Sequence, residues 1–244
     1  MEEKKKLCFF LSMKVFKGLN AVTFMLQKVR EFYPDEDIFI FESGSAQMEP
    51  LCKQFNCHLI QRDRDMFKFL KVEGCVYDSL EMIYQMFNDL HHCGKTANAE
   101  WVLKLEPDVV IRGRIKNFPT DEKVAIAGLK FKFNYYHPFF PPHIRRMRLE
   151  KGFPLVKDNL FSFCGGSIVR TTALETIISR MDEVKAFSEA NPKFSTHDDV
   201  IVSFWVNCFG YDIVDWDETM EEKFTQDVKR RIMAPVVHGF KYFY

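Results

Sequence analysis

Net charge is the first thing this sequence lacks. Lys+Arg 34 stand against Asp+Glu 34, a formal charge of +0. No whole-chain field therefore draws nucleic acid or an anionic membrane, and an anionic ligand must be held by a local arrangement. Paired cysteine motifs are also missing. The 7 cysteines (Cys8, Cys52, Cys57, Cys75, Cys93, Cys164 and Cys208) are scattered with no CxxC among them. An odd, unpatterned set points to reduced thiols rather than a disulfide framework or a zinc cluster. No apolar run approaches the roughly 18 residues of a membrane span. The charged opening Met1–Lys6 is followed by a short apolar stretch, Leu7–Met13, which reads as a buried strand rather than a signal peptide. Internal repeats, low-complexity tracts and Gly/Ser linkers are absent too. The expectation is a soluble, cytoplasmic protein with all 244 residues in one domain.

What is present is material for a core. Hydrophobic residues make up 47% and charged residues 28%, and 26 phenylalanines raise the aromatic content to 15%. That argues against disorder and for large buried side chains or an aromatic-lined site.

Leu7–Leu11 is a continuous apolar run, the pattern of a strand covered on both faces. Ala21–Phe32 repeats apolar residues at helical spacing up to Tyr33-Pro34. Further strands are expected at Ile38–Phe41, near His58–Ile60, at Trp101–Leu105, Val124–Leu129, Ser167–Val169 and Tyr211–Val214. Helices are expected near Met48–Phe55, Val76–His91, Thr172–Phe187 and Asp198–Asn207. Alternating strands and helices give an α/β fold with a mostly parallel central sheet and helices on both faces, and a less regular second half. In such sheets ligands bind beyond the carboxyl ends of the strands. The polar clusters there are Ser12-Met13, Glu42-Ser43, Arg62-Asp63 and Glu106-Pro107-Asp108.

The most informative segment is Trp101-Val102-Leu103-Lys104-Leu105-Glu106-Pro107-Asp108. Residues i and i+2 of an extended chain share a side, so Glu106 and Asp108 can converge, and converging carboxylates suit Mg²⁺ or Mn²⁺. A strand-end turn accounts for the same residues equally well. Ser195-Thr196-His197-Asp198-Asp199 opens an apolar segment. Helix capping explains part of it, and a carboxylate kept ionised for general-base work explains the rest. His238, followed by Gly239 where the chain can bend sharply, is a candidate metal ligand, and Lys241 a phosphate partner. The pair Gly165-Gly166 permits close backbone approach to a ligand, or simply a bulge. Cys164 beside it reads as a small buried residue, with no partner assignable.

Taken in order, these features resemble the nucleotide-sugar-dependent glycosyltransferases of the GT-A fold. Glu106-Pro107-Asp108 is similar to that family's DxD metal motif with Glu in the first place, and Gly165-Gly166-Ser167 resembles its glycine-bearing segment beside the donor sugar. The resemblance implies a nucleoside-diphosphate sugar donor (UDP- or GDP-sugar), Mn²⁺ or Mg²⁺ as cofactor, and a glycan or glycoprotein acceptor. It implies metal ligation by Asp108 and His238, with Glu106 contacting ribose or the metal's water. Donor contacts would come from Ser12, Lys14, Glu42, Ser43, Arg62 or Arg64, Asp63, Gly165, Gly166 and Lys241. Asp199, or Asp198, would be the acceptor-side base if the reaction inverts configuration, with His197 beside it, whereas His238 and Lys241 are similar to the C-terminal His and Lys of some retaining members. Residues 1–128 would then bind donor and 129–244 acceptor, the aromatic segment containing Tyr135, Tyr136 and His137 forming an acceptor-side lip. Two alternatives remain: a nucleotidyltransferase, disfavoured because no glycine-rich basic segment follows the first strand, and a binding module on the same fold without turnover. A Rossmann dehydrogenase is disfavoured by the lack of GxGxxG after that strand.

Overall fold

The computed structural model describes residues 5–14, 19–43, 48–62, 69–72, 75–78, 80–132, 160–182, 202–203, 205–207, 209–221 and 225–239. In chain order the strands are β1 (Lys5–Lys14), β2 (Ile38–Ser43), β3 (His58–Arg62), β4 (Phe69–Val72), β5 (Cys75–Asp78), β6 (Ala99–Leu105) and β7 (Val110–Ile111). They continue with β8 (Val124–Gly128), β9 (Phe131–Lys132), β10 (Leu160–Phe161), β11 (Ile168–Arg170), β12 (Asp212–Asp215), β13 (Thr219–Glu221) and β14 (Val236–His238). The described helices are α1 (Leu19–Phe32), α2 (Glu49–Gln54), α3 (Leu80–Thr96), α4 (Thr171–Ser179) and α5 (Val228–Met233).

Seven strands form the main sheet in the order β12-β8-β11-β6-β1-β2-β3. Only β11 runs against the others, pairing antiparallel with both β6 and β8. Strand alternation sorts the core into two layers. Leu7, Phe9 and Leu11 of β1 pack with Val22, Met25, Leu26 and Val29 of α1 and Cys52 of α2. Cys8 and Phe10 face the other way, onto Ile83, Phe87 and Leu90 of α3 and Ala173, Leu174 and Ile177 of α4. Helices therefore cover both faces, as the continuous apolar strands require. Among the described aromatics Phe9, Phe10, Phe39, Phe41, Phe87 and Phe163 are fully buried, and Trp205 stacks on Tyr84 at 5.2 Å between ring centres.

The structure departs from expectation in two places. Val76–Asp78 belongs to a hairpin, β4 with β5, and the helix begins only at Leu80. β-Branched and aromatic residues at Val76 and Tyr77 suit a strand, although their spacing to the residues that follow also fits a helix. The second difference is a small three-stranded sheet, β13-β14-β7, made of strands too short for any periodic pattern. It stands where the main sheet's β6 ends, and it carries the expected metal ligand His238. Among the described residues no helix is long and apolar enough to cross a membrane.

Candidate metal centre

The register of the parallel strands lines up the residues expected to contact a donor. Lys14 pairs with Ser43, and Ser43 with Arg62; one step back, Met13 pairs with Glu42. Ser12, Lys14, Glu42, Ser43 and Arg62 thus share the carboxyl edge of the sheet, and Glu106 follows the end of β6 at the same edge. Glu42 is buried and Ser12 half-buried. Arg62 is engaged within the fold: its guanidinium pairs with the buried carboxylate of Asp89 on α3 and lies 4.9 Å from the Phe41 ring centre. Gln85 donates to the same Asp89 oxygen at 2.9 Å.

Past β6 the chain turns through Glu106-Pro107-Asp108, closed by the Val109 amide donating to the Glu106 carbonyl at 2.9 Å. It then enters β7 at once. β14 pairs antiparallel with β7, Val237 opposite Val110, so the next residue along β14, His238, is carried to the turn. β13 lies parallel on the other side of β14 and sets Glu221 opposite His238. Residues 132 apart in the chain are brought into contact in this way.

His238 is the hub. Its Nε2 lies 3.2 Å from Glu106 Oε2 and 3.6 Å from Asp108 Oδ1, while Nδ1 lies 3.6 Å from Glu221 Oε2. The second Glu106 oxygen is 3.0 Å from Nζ of Lys104, a buried lysine that also donates to the Phe163 carbonyl at 3.1 Å and sits 4.4 Å from that ring's centre. Glu106 is thus clamped between a lysine and a histidine. Burial works to raise its carboxyl pKa, but Lys104 and His238 hold it well below the ordinary carboxylate range. Burial, with the charges of Glu106 and Glu221, raises Asp108 against the opposing pull of His238. On His238 burial acts to lower the imidazole, yet Cys164, Glu106 and Glu221 together push it up to about 12. Acids crowd this point, and a proton on His238 or a metal ion would offset their charge.

Asp108, Glu106 and His238 offer two carboxylate oxygens and an imidazole nitrogen, all within 4.8 Å of one another. That donor set fits Mn²⁺ or Mg²⁺, which take hard oxygen ligands and tolerate imidazole. The loop bearing Gly165 closes one side. A β-carbon at Gly165 would stand 2.9 Å from His238 Cδ2, 2.8 Å from Val109 Cγ2 and 3.1 Å from Glu106 Cβ, so only glycine fits there. Gly166 ties this loop to the sheet, its amide donating to the Lys104 carbonyl at 2.8 Å. Gly239 has φ +77, the sharp bend expected after His238.

Of the residues singled out from sequence, Glu106, Asp108, His238 and Gly165 come together, and Ser12, Lys14, Glu42, Ser43 and Arg62 line the same sheet edge. Asp63, Arg64, Tyr135, Tyr136, His137, His197, Asp198, Asp199 and Lys241 lie outside the described residues. Two members of the cluster were not anticipated. Lys104 had a signal, a lone charge inside an apolar strand; Glu221 had none, being one acid in a charged stretch.

Against known proteins, no family model matches this chain and no curated protein matches it. Solved structures do. An active-site mutant of LgtC matches with a TM-score of 0.57 at 13% identity, over 94% of this chain and 86% of that one. Core-mannan synthase A (CmsA/Ktr4) from Aspergillus fumigatus, in a form with Mn and GDP, matches with a TM-score of 0.56 at 8% identity, over 89% and 74%. The apo-form glycosyltransferase GlyE of Streptococcus pneumoniae TIGR4 gives 0.50 at 10% identity, over 96% of this chain and 54% of that one. The fold is therefore the GT-A type, a mostly parallel sheet with helices on both faces. At such identities the likeness speaks for the fold.

Proposed function

We propose that this chain is a metal-dependent glycosyltransferase, moving a sugar from a nucleoside-diphosphate sugar to a hydroxyl of a glycan or glycoprotein. One observation carries the reading: Glu106, Asp108 and His238 converge within 4.8 Å at the carboxyl edge of a parallel sheet. The GT-A fold, shared with a mannan synthase whose structure holds Mn and GDP, supports it.

In this reading Asp108, His238 and Glu106 hold Mn²⁺ or Mg²⁺ through the His238 nitrogen that faces both acids, and Lys104 braces the other oxygen of Glu106. The cation would supply charge neutralisation for the departing nucleoside diphosphate. Ser12, Lys14, Glu42 and Ser43 at the sheet edge take the nucleoside. Arg62, Asp63 and Lys241 complete the donor side, with Arg62 having to leave Asp89 to reach a phosphate. The glycines at 165 and 166 leave room for the donor sugar beside the metal ligands. On the acceptor side the reading assigns Tyr135, Tyr136, His137 and His197 to binding. Asp199, or its neighbour Asp198, removes the hydroxyl proton in an inverting transfer.

The test is a thermal-shift screen of UDP- and GDP-sugars with and without Mn²⁺, because a ligand that binds only the folded state raises its apparent stability. A shift that requires both metal and sugar nucleotide is the expected result, followed by release of nucleoside diphosphate. A chain that binds no sugar nucleotide with Mn²⁺ present ends the proposal.

A further inference from the structure

His238 has a second face. Its Nδ1 is buried, makes no hydrogen bond, and looks toward Glu221 at 3.6 Å. On that side Cys164 joins them: the cysteine sulfur, a Glu221 oxygen and a His238 nitrogen all lie within 4.8 Å of one another. Tight packing puts the thiol there, because Gly165, the residue after Cys164, has no side chain to hold the loop off the imidazole. Cys164 is a free thiol and half-buried, so it is reachable from solvent.

We propose that Cys164, Glu221 and His238 form a second metal site, selective for Zn²⁺, that competes with the Glu106–Asp108–His238 site for the same imidazole. The donors differ in softness. A thiolate, an imidazole and a carboxylate make a three-ligand zinc set with a fourth position left for water, whereas Mn²⁺ and Mg²⁺ favour oxygen. Exclusion follows from the imidazole itself. A neutral ring offers one lone pair and carries one N–H, so it serves one ion at a time. Zinc on Nδ1 leaves the proton on Nε2, where it donates to Glu106 and withdraws His238 from Asp108. Coordination takes the proton of the thiol and that of Nδ1, and both pass to the buffer. Zinc binding does not depend on the function proposed above. Its consequence, inhibition by zinc of metal-dependent donor binding, does rest on that reading.

The experiment uses the full chain, stripped of metal and kept reduced, titrated calorimetrically with Zn²⁺ alone and followed spectroscopically with Co²⁺. Wild type should take up one Zn²⁺ and show a thiolate-to-cobalt charge-transfer band. Cys164→Ser should weaken Zn²⁺ on the order of 100-fold and abolish the band, and Glu221→Gln should weaken Zn²⁺ about 10-fold. Cys164→Ser keeps the oxygen-rich site, so its Mn²⁺ affinity should match wild type, which also shows that the variant is folded. Saturating Zn²⁺ should eliminate Mn²⁺ uptake. Undiminished Zn²⁺ binding by Cys164→Ser, or a cobalt spectrum without thiolate, overturns the site. Simultaneous uptake of Zn²⁺ and Mn²⁺ overturns the competition. A wild-type chain that binds Zn²⁺ through Cys164 but never Mn²⁺ leaves the zinc site standing, overturns the competition and defeats the function proposed above.

Discussion

The seven-stranded sheet and the three-stranded sheet beside it divide the labour of this protein unequally. The large sheet buries apolar side chains on both faces and contributes the strand that ends at Glu106. The small one, built from strands of two or three residues, delivers His238 and Glu221, and among the described residues its own core cluster is Met220, Ala234 and Val237. Most of the described buried core lies on the first, and the candidate metal ligands meet at the contact between the two. A short strand suffices for the chemistry because register, not length, decides which side chains face one another.

Four substitutions would break or sharpen that contrast. The largest effect belongs to the large sheet. Phe10→Ala empties a fully buried position and should cost about 3–5 kcal/mol in urea unfolding, with the Mn²⁺ response per folded molecule preserved. A loss well under 1 kcal/mol there would remove the large sheet as the seat of stability. Asp108→Ala should reverse the pattern, lowering Mn²⁺-dependent donor affinity on the order of 100-fold while the urea midpoint hardly moves. Unchanged donor affinity in that variant would refute the assigned ligand. Gly165→Ala tests the seam between the sheets. Its methyl meets His238, Val109 and Glu106, so a loss of roughly 1–3 kcal/mol and a weaker Mn²⁺ response should appear together. If stability fell without any change in metal response, the seam would be packing alone. Smallest is Lys95→Ala, which breaks an exposed 3.3 Å pair between α3 and α4; chemical denaturation should register under about 0.5 kcal/mol.

Legibility followed length. The apolar runs of β1, β2 and β6 were readable because a strand covered on both faces is apolar along most of its length. α1 was readable from its helical spacing. The β4–β5 hairpin was not, since four residues of Cys75-Val76-Tyr77-Asp78 satisfy a strand and the start of a helix alike. β7, β13 and β14 offered nothing periodic, and the reversed direction of β11 leaves no mark on its composition. At the site, the Glu-Pro-Asp turn and His238 stood out by residue type. Lys104 was visible as an anomaly without an explanation until its partners, Glu106 and the Phe163 carbonyl, appeared. Cys164 passed for an inert thiol because its neighbours Glu221 and His238 are distant in sequence.

The sequence by itself determined the layered α/β architecture, the sheet edge where polar residues gather, and the residue types able to bind a cation, because burial periodicity and side-chain chemistry are local properties. Tertiary structure alone decided that His238 meets Asp108 through one nitrogen and Glu221 through the other. That choice depends on the register of β14 between β7 and β13, and register is set by pairing between segments far apart in the chain.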